Sequence, residues 1–254
     1  MLQAILHGKI GTLFEKDMEG KSFKEQFRSL EDFLTAAVFE RLRYLPADIF
    51  WKVLCEASIP SGSLPPTAGD FRESEFWPTW NLSLSNRLRC IPDVLLSFEK
   101  IDITVEAKRY DGVVSQAAEQ LALEWIGYTE QDRARQMWLM MVSGLGEVTD
   151  DCVIGFRSQI EEALRNFGKK SEEVQLVGTS WQLIAKALNK VVSVGQIGAS
   201  SLMVINDILQ ALQLYEVQSR QPVWLESLAS EVRPFCSIRD ESLRLFEGRI
   251  SNGF

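Results

Sequence analysis

The chain has 254 residues, 46% hydrophobic and 24% charged, with a formal net charge of −8. A chain of this length makes one large domain or two small ones and buries roughly 70–75% of its unfolded surface, so it needs no disulfide staples. No apolar run approaches the ~18 residues of a membrane span, and the acidic balance repels nucleic acid in bulk. The start, Met1-Leu-Gln-Ala-Ile-Leu-His-Gly, lacks a basic n-region and has too short an apolar core for a signal peptide, so a cytoplasmic protein is expected. Residues 1–24 are mixed polar and apolar, suiting an N-terminal helix or arm. Ser29 to Leu45 reads as a helix, because Leu34, Val38, Leu42 and Leu45 recur at helical spacing and Pro46 ends it. A shorter helix is expected over Asp48–Ala57. Residues 58–75, rich in Pro, Gly and Ser, read as a loop. The segment Phe76-Trp-Pro-Thr-Trp-Asn-Leu suits a short edge strand, since its proline cannot donate to a ladder.

Two strands are expected next, Arg89–Phe98 and Ile101–Lys108, paired as a hairpin through a tight turn at Glu99-Lys100. A helix over Gln116–Thr129 follows, then a buried strand over Met137–Val142, a helix over Arg157–Phe167 and a buried strand over Val174–Val177. Helices over Trp181–Val192 and Leu202–Gln218 and a short one near Leu225 complete the chain. The order predicts an α/β fold, a mixed β-sheet flanked by helices with further C-terminal helices. We read it as a single domain over 1–254, with a core of about 25–195 and a C-terminal helical region of about 200–254. No Gly-rich loop follows a strand, which leaves nucleotide binding without support.

Histidine is nearly absent. That scarcity excludes HEXXH proteases, His-metal nucleases and almost any Ser–His or Cys–His triad, and the single one, His7, is expected at the surface. The four cysteines, Cys55, Cys90, Cys152 and Cys236, form no Cys-x-x-Cys pair and read as reduced thiols. Hydrolytic chemistry here has to use carboxylates, an amine and a metal. One stretch offers them: Pro92-Asp93, an apolar run, a polar turn, then Ile103-Thr-Val-Glu-Ala-Lys108. Strand alternation turns Ile103, Val105 and Ala107 to one face and Thr104, Glu106 and Lys108 to the other. Hairpin pairing brings Asp93 towards Glu106. Two carboxylates at one place repel unless a proton or cation lies between them, and a hard cation such as Mg²⁺ resolves this with oxygen ligands. The bland alternative is a surface strand carrying a Glu–Lys pair.

Pro92-Asp93 with Glu106-Ala107-Lys108 resembles the PD-(D/E)xK, or restriction-endonuclease-like, nuclease superfamily. That family's core is a helix, a three-stranded meander, a helix and a further strand. Residues 29–142 are similar in element order, and residues 76–108 are expected to supply the meander. The resemblance implies a metal-dependent nuclease in which Asp93, Glu106 and the Ala107 carbonyl bind Mg²⁺ or Mn²⁺ and Lys108 orients the attacking water or offsets charge on the phosphate. A carboxylate on the first helix often completes such a site. Of Glu31, Asp32 and Glu40, Glu31 is chosen: it lies seven residues before Val38, about 20° away on the helical wheel, whereas Glu40 faces the opposite side. The alternative role for Glu31 and Asp32 is to favour the helix N-terminus, with Ser29 as its cap. The family also often places a glutamine on the helix after the lysine strand. Gln120 fits better than Gln116, because it borders Leu121 and Trp125.

For nucleic acid, Arg87, Arg89, Lys108 and Arg109 cluster near the motif, with Arg133 and Arg135 further on, and Tyr110 is a candidate to stack on bases. Trp77 and Trp80 are either stacking residues or core. The leading expectation is a nuclease on DNA, working as the effector subunit of a bacterial defence or DNA-processing system, with a protein partner or as a homodimer. The alternative is a catalytically inactive protein of the same fold, serving as a nucleic-acid-binding or scaffolding subunit. Separation of Asp93 and Glu106 by more than about 8 Å would rule out a shared ion, whose oxygen ligands lie at ~2.0–2.6 Å.

Overall fold

The structure is a computed structural model. It describes residues 31–84, 87–108, 114–131, 133–144, 148–169, 174–194 and 197–217, all within the unit Met1–Ser219. The chain enters through α1 (Glu31–Leu42) and α2 (Ala47–Ala57), separated at Pro46. β1 (Phe71–Phe76) follows, then a hairpin of β2 (Trp80–Leu84) and β3 (Arg87–Cys90). β4 (Val94–Phe98) and β5 (Ile101–Ala107) lead to α3 (Val114–Thr129), β6 (Gln136–Ser143), α4 (Asp150–Asn166) and β7 (Leu176–Ser180). Helices α5 (Trp181–Val194) and α6 (Ala199–Leu214) end the described chain.

Five strands form one mixed sheet in the order β1-β4-β5-β6-β7, and β2 and β3 form a separate two-stranded sheet. β1, β4 and β5 run antiparallel to one another, while β5, β6 and β7 are parallel. Helices cover both faces. Phe33, Leu34 and Phe39 of α1, Phe50 and Leu54 of α2, Trp181 and Leu188 of α5 and Ile205 and Ile208 of α6 pack on the face formed by Val94, Leu96, Ile103, Val105, Met140 and Val177. Leu121 and Ile126 of α3 and Val153 and Ile160 of α4 pack on the opposite face with Leu95, Leu139 and Leu176, joined by Trp80 and Leu82 of the hairpin. Parallel strands buried on both faces read as near-continuous apolar runs, and β6 obeys this with Met-Trp-Leu-Met-Met-Val. At the sheet edge, Ile59 and Gly178 exchange backbone hydrogen bonds at 2.8 Å, so the loop after α2 covers β7.

Three expectations are corrected. The segment 58–75 is not all loop: Phe71–Phe76 is the edge strand β1, and it tolerates the polar run Arg-Glu-Ser-Glu because only one of its sides pairs. The strand expected over Arg89–Phe98 breaks at Ile91-Pro92-Asp93 into β3 and β4, which belong to different sheets. The meander is therefore β1, β4 and β5, with the β2–β3 hairpin inserted after its first strand. α4 begins well before Arg157, because Thr149 caps it by accepting from the Cys152 N–H and Asp150 and Asp151 occupy its positive first turn. Among the described residues no helix is long and apolar enough to cross a membrane.

Candidate active site at the end of the central strand

The site grows from the end of β5. All seven residues of this strand are buried, including Asp102, Thr104 and Glu106. The face that carries Thr104 and Glu106 lies under α3, so Glu106 is only 2% exposed and the surface-strand alternative fails. Val94 pairs with Val105, which places Asp93 opposite Glu106 just beyond the ladder. There the Asp93 side chain takes over from the backbone, its Oδ2 accepting the Ala107 N–H at 2.9 Å. The Asp93 carbonyl accepts from the Trp77 N–H at 2.9 Å. Trp77 has φ +47°, a left-handed conformation that costs a bulky residue on the order of 1–3 kcal/mol. It turns the chain out of β1 into the hairpin, and Asp93 is where the chain returns.

Lys108 follows β5 directly. Its N–H donates to the Val142 carbonyl at 2.9 Å, and its carbonyl accepts from Trp181 Nε1 at 3.1 Å. Its ammonium donates to Glu106 Oε1 and lies 3.6 Å from Glu31 Oε1. Glu31 thus reaches the site from the first turn of α1. α1 is buried nearly all round, Glu40 included, so no single core-facing stripe singles out Glu31. Asp32, beside Glu31, adds its charge to the field at Asp93.

The fourth side of the site is α3, and it brings a residue that the sequence reading missed. Glu124 is fully buried. Its Oε1 accepts from the Gln120 side-chain amide at 3.3 Å, one helical turn away. Gln120 therefore holds a carboxylate in place, whereas Lys108 is held by Glu106. Glu124 Oε2 and Glu106 Oε2 have no hydrogen-bond donor among the described residues. The two carboxyl groups face each other, and only a proton on one of them makes a hydrogen bond between the pair. One signal for Glu124 was present in the sequence: an acid inside Leu121-Ala-Leu-Glu-Trp-Ile, four residues after the chosen glutamine.

Burial without enough counter-charge sets the electrostatics. Desolvation, and then the charge of Glu106, pushes the Asp93 carboxyl up to about 8 against the pull of the Ala107 N–H and Lys108. Desolvation also raises Glu106, although Lys108 opposes it, and raises Glu124 well above the usual carboxylate range, helped by Glu106 and Asp93. Burial pulls the Lys108 ammonium down, but Glu106, Asp93 and Glu31 more than reverse this and keep it charged.

Three inward carboxyl groups with one ammonium form an all-oxygen donor set short of positive charge. Among the described residues, no group of three or more histidine, cysteine or acidic side chains is placed to hold a metal ion. The orphaned oxygens of Glu106 and Glu124 nevertheless fit a hard divalent cation, because a buried carboxylate oxygen without a donor needs a proton or a metal.

The residues expected to contact nucleic acid differ in where they lie. Arg87 and Arg89 both lie on β3, and Arg89 is exposed; Arg109 and Tyr110 fall outside the described residues. Trp77 and Trp80 are buried at 6% and 2% exposure, which resolves them as core and not as stacking residues. Arg135 Nε donates to Asp102 Oδ1 at 2.7 Å, and Arg133 bonds Glu75 at 3.2 Å, so both arginines are engaged at the other end of β5.

No known protein-family model matches the chain. Among solved structures, the small subunit of a heterodimeric restriction endonuclease aligns over 76% of this chain and 95% of its own at 10% identity and a TM-score of 0.32, a likeness that carries no argument. Uncharacterized protein PM0110 of Pasteurella multocida (strain Pm70) is 30% identical over 231 residues, covering 90% of this chain and 85% of the relative. At that identity and coverage, the chain belongs to the same family as the Pasteurella protein.

Proposed function

We propose that the chain is a metal-dependent nuclease of the PD-(D/E)xK kind that hydrolyses phosphodiester bonds, with DNA as substrate. One observation carries the reading: buried carboxyl groups with orphaned oxygens converge beside a lysine held in its charged form. The element order of helix, three-stranded meander, helix and parallel strand agrees with it. Asp93, Glu106 and the Ala107 carbonyl would hold Mg²⁺ or Mn²⁺, with Glu31 contributing from α1. Such an ion, when bound, lowers the pKa of a coordinated water and offsets negative charge on the phosphate.

The chain's own groups do the rest. Lys108 keeps a permanent positive charge at the site and orients the attacking water by hydrogen bonding. Asp93 ties the start of β4 to the end of β5, fixing the spacing of the carboxyl groups. Gln120 fixes the α3 side of the site through Glu124. Arg87, Arg89, Arg109 and Tyr110 would contact the nucleic-acid backbone and bases. The net charge of −8 argues that a protein partner or a second copy supplies more of the binding surface.

The test is cleavage of duplex DNA, single-stranded DNA and RNA with Mg²⁺, Mn²⁺ or EDTA. The expected result is metal-dependent cleavage, lost on EDTA treatment and reduced at least about 100-fold in Glu106→Ala and Lys108→Ala. Cleavage that survives both substitutions would place the chemistry elsewhere. No cleavage under any condition would favour the inactive, scaffolding reading of the fold.

A further inference from the structure

Glu124 is not part of the Pro-Asp and Glu-x-Lys motif, yet it is the most completely buried acid beside it. Its oxygens are unequal. Oε1 is occupied by Gln120, while Oε2 has no donor and belongs to the carboxyl group that faces Glu106. Glu106 repeats the pattern, with Oε1 on Lys108 and Oε2 without a donor. Two adjacent acids therefore each present one oxygen to the other in a dry interior, with only a proton or a cation able to join them. A glutamate needed only for packing would be better replaced by glutamine or leucine, since burying a carboxylate without a donor carries a large desolvation cost.

We infer that Glu124 is a metal ligand of this site, contributed by α3, so that the cation is held between the β5 strand and the α3 helix by Glu106 Oε2 and Glu124 Oε2 as well as by Asp93. This rests on the nuclease reading for the presence of a metal and goes beyond it in the ligand set. Gln120 acts as a positioning residue, fixing the rotamer of Glu124 from one turn away. A cation between them would take the place of the proton that otherwise lets the two carboxyl groups face each other. The cation thereby ties the helix to the strand.

The test is Mn²⁺ binding by the full chain, followed by calorimetry and by the loss of the free-ion electron paramagnetic resonance signal. Wild type, Glu106→Gln, Glu124→Gln and the exposed control Glu119→Gln are compared. Glutamine has the shape of a protonated glutamate, so Glu124→Gln keeps its contact with Gln120 and its fold, which circular dichroism verifies. Loss of a ligand costs at least what loss of a supporting residue does, about tenfold in affinity. The expected outcome is that Glu106→Gln and Glu124→Gln each weaken Mn²⁺ at least about tenfold, while Glu119→Gln leaves it unchanged. Wild-type affinity in Glu124→Gln together with loss in Glu106→Gln would overturn the assignment of Glu124 and leave the nuclease reading standing. Absence of Mn²⁺ binding by the wild type would overturn both.

Discussion

At the scale of single residues, the site trades stability for a charge arrangement. Asp93 titrates near 8 in the folded chain against 3.8 for the free side chain. Between those values the folded state binds more protons than the unfolded state, so stability falls as pH rises. The contribution is fully present below about pH 4 and is lost on the way to pH 8; Glu106 and Glu124 are shifted in the same direction. Asp93→Asn removes this term and keeps an acceptor for the Ala107 N–H. In EDTA its melting temperature should therefore rise relative to wild type as pH goes from 5 to 8. A difference that stays flat or shrinks over that range would show that Asp93 is not held protonated. The juxtaposition of Asp93, Glu106 and Lys108 was legible from residue type and spacing, whereas the nearness of Glu31 was not, since α1 is buried nearly all round. Nor was Glu124, because alternation along β5 says which side chains share a face but not that a helix covers that face.

At the scale of elements, the position of α3 decides the geometry of the site. Its C-terminal half is seated by the β2–β3 hairpin at Gly127, where an added Cβ would lie 2.6 Å from Cys90 Sγ and 3.1 Å from Trp80 Cε3. Overpacking of this kind costs about 1–3 kcal/mol. Gly127→Ala is accordingly expected to lower stability to urea by that amount. Cys90→Ala in the same chain should recover part of the loss by removing the closest obstructing atom. If the double variant is no better than the single one, Trp80 or helix displacement sets the cost. The sequence showed the turn at Glu99-Lys100 and the buried β6, because a polar turn and a continuous apolar run are local signals. It did not show β1 or the break at Ile91-Pro92-Asp93. An edge strand reads as polar as a loop, and whether a chain changes sheets depends on partners distant in sequence.

At the scale of the whole molecule, a net charge of −8 opposes the polyanion that the site is proposed to cut. Binding of duplex DNA in EDTA is therefore expected to be weak, and to strengthen when a hard cation such as Ca²⁺ fills the site. Fluorescence anisotropy with a labelled duplex measures both, and tight binding in EDTA at low salt would contradict the expectation. The overall plan of helices on both faces of a mixed sheet follows from the alternation of apolar runs and amphipathic segments. The inserted hairpin does not, since it interrupts a meander that the sequence shows as continuous. Lys108 illustrates what this frame provides. Its backbone is tied to Val142 on one side and to Trp181 on the other, although it lies beyond the end of the strand. Ordering one residue's backbone costs about 1–2 kcal/mol in conformational entropy. Folding has already met that cost, and Glu106 holds the ammonium as well, so a substrate bound there would meet a lysine ordered in advance.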